Sequence, residues 1–274
     1  MAVVNRSEIY RMAFTKAFNS GGRPFPIPLQ PLGEQFDPES IDWWHSIELP
    51  GDRVTNGGKS REIMQREAGR FFDTLALSGK SFLDIGAWNG GFTLEAFQRG
   101  ASRIAALDRY HLPEVEASFN ALKSINYIIE QWEMQVELYA CNLDNPRIDL
   151  SGLGQFDVVL FSGVFYHLLN PLSALREVAM LAKEVLIVET LLDSTNDDRP
   201  GMIFYPRNEI NGDGSNWWGP NVPFLIEYLK VLGYSRVDVT HTPGSDRGIF
   251  HAYRDIKDQY LRPDITTLDV SLER

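Results

Sequence analysis

The stretch Phe82-Leu83-Asp84-Ile85-Gly86-Ala87-Trp88-Asn89-Gly90-Gly91 decides how the rest of the chain is read. An apolar run of strand length enters a glycine-bearing turn, and a helical pattern follows from Phe92 to Arg99. Such a unit brings backbone close to a nucleotide-type ligand. Spaced as a dinucleotide fingerprint, the glycine positions fall on Gly86, Trp88 and Gly91. The second must be bare for a pyrophosphate to approach, so Trp88 argues against NAD and for an adenosine ligand without phosphates. Asp108 ends the next apolar run, where a carboxylate can accept hydrogen bonds from both ribose hydroxyls.

Working outward, short β-branched or apolar runs recur at Ser81–Ala87, Arg103–Asp108, Val136–Cys141, Phe156–Ser162 and Glu184–Glu189. Helical patterns alternate with them at Phe92–Arg99, Pro113–Gln131 and Pro171–Ala182, as βαβ units require. After a polar stretch holding Asp197-Asp198 and Trp217-Trp218, Val222–Leu232 reads as a helix. Two last strands, Ser235–His241 and Gly248–Arg254, join through Thr242-Pro243-Gly244-Ser245 as an antiparallel pair at the sheet edge. The expected fold is α/β, a doubly wound, mostly parallel seven-stranded sheet, over residues 61–254. It opens on a helix from Arg61 to Leu77.

Residues 1–60 are expected to form an N-terminal segment of three parts. Ile9, Met12, Phe14, Ala17 and Phe18 sit at helical spacing, and Gly21–Pro38 carries five prolines that impose an extended strap. Trp43-Trp44-His45 opens the third part, a lid that ends at Asn56-Gly57-Gly58. Adjacent tryptophans point to different sides, which assigns at least one of them to the core. Residues 255–274 are a C-terminal tail.

Composition narrows the classes. Apolar residues make up 43% and charged residues 23%, which excludes low-complexity disorder. The net charge of −11 disfavours a nucleic-acid partner, because it lacks the general attraction to phosphates. Cys141 is the single cysteine, and the first 18 residues hold no apolar leader core, so a cytoplasmic location is expected. No run of 18 apolar residues occurs, so no membrane-spanning segment is expected. Five scattered histidines without a ligand spacing imply no structural zinc site, which leaves a loosely held magnesium as the open alternative.

The loop from Asp84 to Gly90 resembles that of class I S-adenosylmethionine-dependent methyltransferases, usually Asp/Glu-x-Gly-x-Gly-x-Gly. This chain keeps Asp84, Gly86 and Gly90 and has Trp88 at the middle glycine. The resemblance implies a Rossmann-like methyltransferase fold with S-adenosylmethionine as cofactor. By it, Gly86 packs under the cofactor, Asp84 orients its amino-acid end and Asp108 holds its ribose. Ala87, Trp88, Arg109, Asn142, Leu143, Ser162 and Gly163 complete the implied cofactor set. The string Phe156–His167 with Asn170-Pro171-Leu172, and later Val188-Glu189-Thr190-Leu191, is similar to a narrower group. That group contains the tRNA wobble-uridine carboxymethyltransferase and relatives assigned to small molecules. In that group's pattern Tyr166 and Arg247 match carboxylate-contacting positions, whereas a cationic position falls near Trp44. Ordinary S-adenosylmethionine and a small-molecule acceptor are therefore expected, with a tRNA-modifying enzyme and a noncatalytic cofactor-binding protein as alternatives.

Methyl transfer to a hydroxyl requires alignment, exclusion of water and a proton acceptor. His167, just past the fourth strand, is the candidate base, and the competing role is to structure the turn before Pro171. Tyr166 covers the cofactor or touches the acceptor, or else simply packs. Glu189 ends the fifth strand as a contact to an acceptor or a metal, or else as a structural hydrogen-bond partner. Trp44, His45, Arg207, Trp217, Trp218 and Arg247 are the substrate-side candidates. For Arg247 a surface carboxylate is the favoured partner, and for Trp217-Trp218 the competing role is an aromatic plug.

Overall fold

The computed structural model describes residues 22–29, 32, 36–111, 120–193, 195, 199–241 and 246–254. The expected N-terminal helix, Pro31, Asp197-Asp198, the turn 242–245 and the tail 255–274 lie outside them, as does the start of the expected helix at Pro113.

In chain order the strands are β1 (Phe25–Pro26), β2 (Glu48–Leu49), β3 (Arg53–Val54), β4 (Ser81–Ile85), β5 (Arg103–Asp108), β6 (Val136–Ala140), β7 (Phe156–Ser162), β8 (Ala182–Leu191), β9 (Met202–Phe204), β10 (Trp218–Pro220), β11 (Arg236–His241) and β12 (Arg247–Tyr253). The helices are α1 (Arg61–Phe72), α2 (Gly91–Gln98), α3 (Ala121–Gln131), α4 (Pro171–Leu181) and α5 (Val222–Val231). Eight strands form one sheet in the order β1-β6-β5-β4-β7-β8-β12-β11. The five central strands are mutually parallel, whereas β12 and β11 run antiparallel at one edge.

The eighth strand corrects the expected count of seven. Within the strap, Phe25 and Pro26 pair antiparallel with Ala140 and Tyr139, and the Ile27 N–H donates to the Leu138 carbonyl at 2.8 Å. Two further ribbons, β2–β3 and β9–β10, arise where the sequence reads only as loop. Helix α1 ends at Phe72, short of Leu77, and the chain turns there while Leu75 and Leu77 stay buried.

Alternation along the strands sends side chains to two apolar layers. Val159 and Phe161 of β7 join Leu83, Leu107, Phe165, Val178, Leu225 and Phe250 on one face. Val158 and Leu160 meet Phe71, Phe72, Phe82, Phe92 and Ile187 on the other. Local signals set the helix starts. The Ser60 side chain caps α1 by accepting from Ile63 N–H, Pro171 opens α4, and the Asn221 side chain caps α5 through Phe224 N–H. Among the described residues no helix is long and apolar enough to cross a membrane.

Strand β4 has β5 on one side and β7 on the other, so the chain leaves it in opposite directions and opens a crevice at the carboxyl ends.

Candidate functional site

At that crevice Asp84, Gly86, Asp108, Asn142, Ser162, Gly163 and Glu189 are brought to one edge of the sheet by the ends of β4 through β8. Gly86 has φ of 85°, and its N–H donates to the Leu107 carbonyl at 2.8 Å. A Cβ there would lie 2.2 Å from Val164 Cγ2, so the turn admits only glycine. Trp88 is also left-handed, at φ of 46°, a cost of about 1–3 kcal/mol for a bulky residue. Its N–H donates to Asp108 Oδ2 at 2.8 Å, and its ring meets Tyr110 edge-on at 4.5 Å.

Asp108 also accepts the Tyr110 N–H on Oδ1 at 2.8 Å. One donor on each oxygen leaves each a further lone pair. Asp84, 2% exposed, accepts from Thr93 Oγ1 at 2.7 Å. Burial pushes its carboxyl up to about 7 against the Thr93 hydrogen bond, and Asp108 adds to the rise. Arg109 lies over the Tyr110 ring at 4.9 Å. Asn142 accepts the Asp144 N–H, Asp144 in turn accepts from Leu169 and Asn170 N–H, and Leu143 joins the core. Ala87 is buried against the layer that contains Trp43 and Ile125.

At β8, Glu189 is fully engaged. Oε2 accepts from Ser162 Oγ at 3.1 Å, from Gly163 N–H at 3.0 Å and from Arg247 Nη2 at 2.8 Å, while Oε1 accepts from Arg247 Nε. Burial pushes this carboxyl up, but the Arg247 charge and hydrogen bonds, with Lys59 and Ser162, hold it below the usual range. Arg247 therefore meets a buried carboxylate, not the expected surface one. Its Nη2 also donates to Tyr166 Oη at 3.2 Å, and its guanidinium lies 4.9 Å from the Tyr166 ring centre.

Tyr166 and His167 belong to a single 3-10 turn, Phe165–His167, with ring centres 4.1 Å apart. His167 Nδ1 lies 2.9 Å from the Ser215 carbonyl oxygen. Burial lowers its pKa to about 4, opposed by the Ser215 bond and Asp213 and assisted by Arg109 and Arg247. The imidazole is neutral at pH 7, well below the ordinary value that the sequence suggests.

The residues of the expected lid divide. Trp43 is buried beside Tyr127, Trp44 is half exposed with its ring over Gly58, and His45 is buried near Phe92. Burial, with Lys59, lowers His45 to about 3. Sequence reasoning overlooked Asn89, whose Oδ1 accepts the Trp44 N–H at 2.8 Å and the His45 N–H at 3.4 Å, while Nδ2 donates to Ser124. Its one signal was a polar residue inside the glycine loop. Trp217 and Trp218 pack on Phe204, and the Trp217 N–H donates to the Tyr166 carbonyl. Arg207 is exposed, its backbone N–H donating to Glu209.

Comparison with known proteins fits this arrangement. Residues 60–228 match the family described as Methyltransferase domain. The tRNA U34 carboxymethyltransferase of Pseudomonas putida (strain GB-1) is 28% identical over 166 residues, 60% of this chain and 48% of that protein. Its counterpart in Dichelobacter nodosus (strain VCS1703A) is 30% identical over 58% of this chain and 47% of its own. The chain thus spans about half the length of these curated relatives. The N-terminal domain of EvdMO1, crystallised in the presence of SAH and D-fucose, superposes with a TM-score of 0.58 at 20% identity, covering 92% of this chain and 97% of that one. The match spans well over half of the chain, so the chain belongs to the Methyltransferase domain family.

Proposed function

We propose that the protein transfers a methyl group from S-adenosylmethionine to a hydroxyl oxygen of a small-molecule acceptor, such as a sugar or secondary metabolite, in the cytoplasm. The observation that carries the acceptor chemistry is His167, a neutral imidazole at the carboxyl edge of β7 beside Tyr166. The chain's own residues fit the cofactor. Asp84 is a buried carboxyl that Thr93, a neutral residue, meets through a hydrogen bond, and among the described residues no cation lies beside it, which suits an ammonium group. The remaining lone pairs of Asp108 suit a ribose diol, and the Gly86 turn is closed to any side chain. The cofactor supplies a sulfonium methyl already activated toward a nucleophile.

What the protein adds is alignment and a proton acceptor. The acceptor oxygen forms the new C–O bond, the S–C bonding pair stays on sulfur, and the hydroxyl proton passes to His167. Methylation makes that proton strongly acidic, so a weak base suffices. The charge of −11 supports a small acceptor. The name of the curated relatives supports a second reading, tRNA modification, at 28% and 30% identity over 60% and 58% of this chain.

Calorimetric titration with S-adenosylhomocysteine should give micromolar binding that Asp108→Ala abolishes. Labelled methyl transfer is then measured to deoxyhexoses, chosen because the EvdMO1 domain was crystallised with D-fucose, and to bulk tRNA. Label entering tRNA alone would reject the small-molecule reading.

A further inference from the structure

Residues 213–217, between β9 and β10, grip the turn that carries His167. Besides the Trp217 bond to Tyr166, His167 Nδ1 stands 2.9 Å from the Ser215 carbonyl oxygen and 3.1 Å from Ser215 Oγ. Ser215 Oγ and its backbone N–H both donate to Asp213 Oδ1, at 2.7 and 2.9 Å. Ser215 itself is 2% exposed. A carbonyl oxygen only accepts, so Nδ1 must carry the proton of the neutral ring. Ser215 Oγ, having given its proton to the Asp213 carboxylate, is also an acceptor toward Nδ1. Two independent contacts therefore select one tautomer, with the lone pair on Nε2.

Resting on the base assignment above, we propose that Asp213 and Ser215 are positioning residues that hold His167 in the Nδ1–H tautomer and so present Nε2 to the acceptor hydroxyl. As the C–O bond forms, the O–H bond breaks and its proton becomes the Nε2–H of an imidazolium. The new charge faces Asp213, which stabilises it through Ser215, and Arg109 and Arg247, which oppose it. The stretch that sequence alone assigns to a polar loop thereby sets the chemistry of a side chain 48 positions away.

The test is a long-range 1H–15N spectrum of histidine-labelled protein at pH 7, with His167 assigned from a His167→Gln variant. Wild type should show the Nδ1–H form alone. In Asp213→Asn and Ser215→Ala the Nε2–H form should gain population, and kcat should fall about tenfold with the KM for S-adenosylmethionine unchanged. Ser215→Thr, which keeps the hydroxyl, should restore both. A wild-type ring protonated on Nε2, or variants that lose turnover with the tautomer intact, would overturn the inference. Full turnover by His167→Gln would instead remove the base assignment itself, so the two failures are distinguishable.

Discussion

Asp84 on β4 and Glu189 on β8 stand at the same edge of the sheet with β7 between them, and both are almost wholly buried. Their charges are nevertheless set in opposite directions. Burial dominates at Asp84, where only the Thr93 hydroxyl and backbone N–H answer the desolvation and the Asp108 carboxylate adds to it, so its carboxyl is pushed up to about 7. Glu189 has the Arg247 guanidinium, a serine hydroxyl and a backbone N–H, and is held below its ordinary range. Equal burial therefore does not mean equal function. On the proposed reading the β4 side takes its cation from the cofactor's ammonium group, whereas the β8 side has its cation built in, a brace between the parallel strands and the antiparallel edge.

The hardest test of the brace is Arg247→Met, which leaves Glu189 buried without its cation. It should cost about 3–5 kcal/mol in urea unfolding, and Arg247→Met combined with Glu189→Gln should recover most of it. A single-variant loss below about 1 kcal/mol would place Glu189 and Asp84 in one class after all.

Next comes the pH response of the β4 side. Between about pH 4 and 7 the folded protein keeps a proton on Asp84 that the unfolded chain has already lost, so the stability contributed by this group falls as pH rises through that window. Asp84→Asn should flatten the slope. An ammonium bound beside Asp84 favours the ionised form, so affinity for S-adenosylhomocysteine should weaken below about pH 7, by up to roughly tenfold per pH unit. Calorimetry from pH 5 to 8 checks this, and an affinity independent of pH would refute it.

The smallest effect is expected from Ser162→Ala, which removes one of several donors on Glu189. A loss of about 1 kcal/mol by thermal melting is expected, with no change in the pH slope assigned to Asp84.

The parallel core was legible because fully buried strands read as continuous apolar runs. Arg103–Asp108 and Phe156–Ser162 match their expected bounds at both ends. The ribbons β2–β3 and β9–β10 were not legible, since strands of two or three residues leave no periodicity to detect. The glycine loop and Asp108 announced themselves by spacing. The partner of Arg247 did not, because Glu189 reaches it only through the antiparallel register of β12 on β8. His167 stood out as a residue type, but the groups that fix its ring, Ser215 and Asp213, sit in a stretch with no regular pattern at all. Contacts made across strand order, or from an irregular insertion, have no local signature.

The alternation of prolines at 24, 26 and 28 has a consequence for how copies of this protein meet. Ile27 turns its N–H inward to β6, so along an extended chain the neighbouring even positions point the other way, and each of those is a proline. The outermost border of the sheet therefore offers no amide hydrogens over this span. A second strand approaching that side would find carbonyl acceptors without the donors a ladder needs, which disfavours edge-to-edge pairing along a strap that itself contributes only two paired residues.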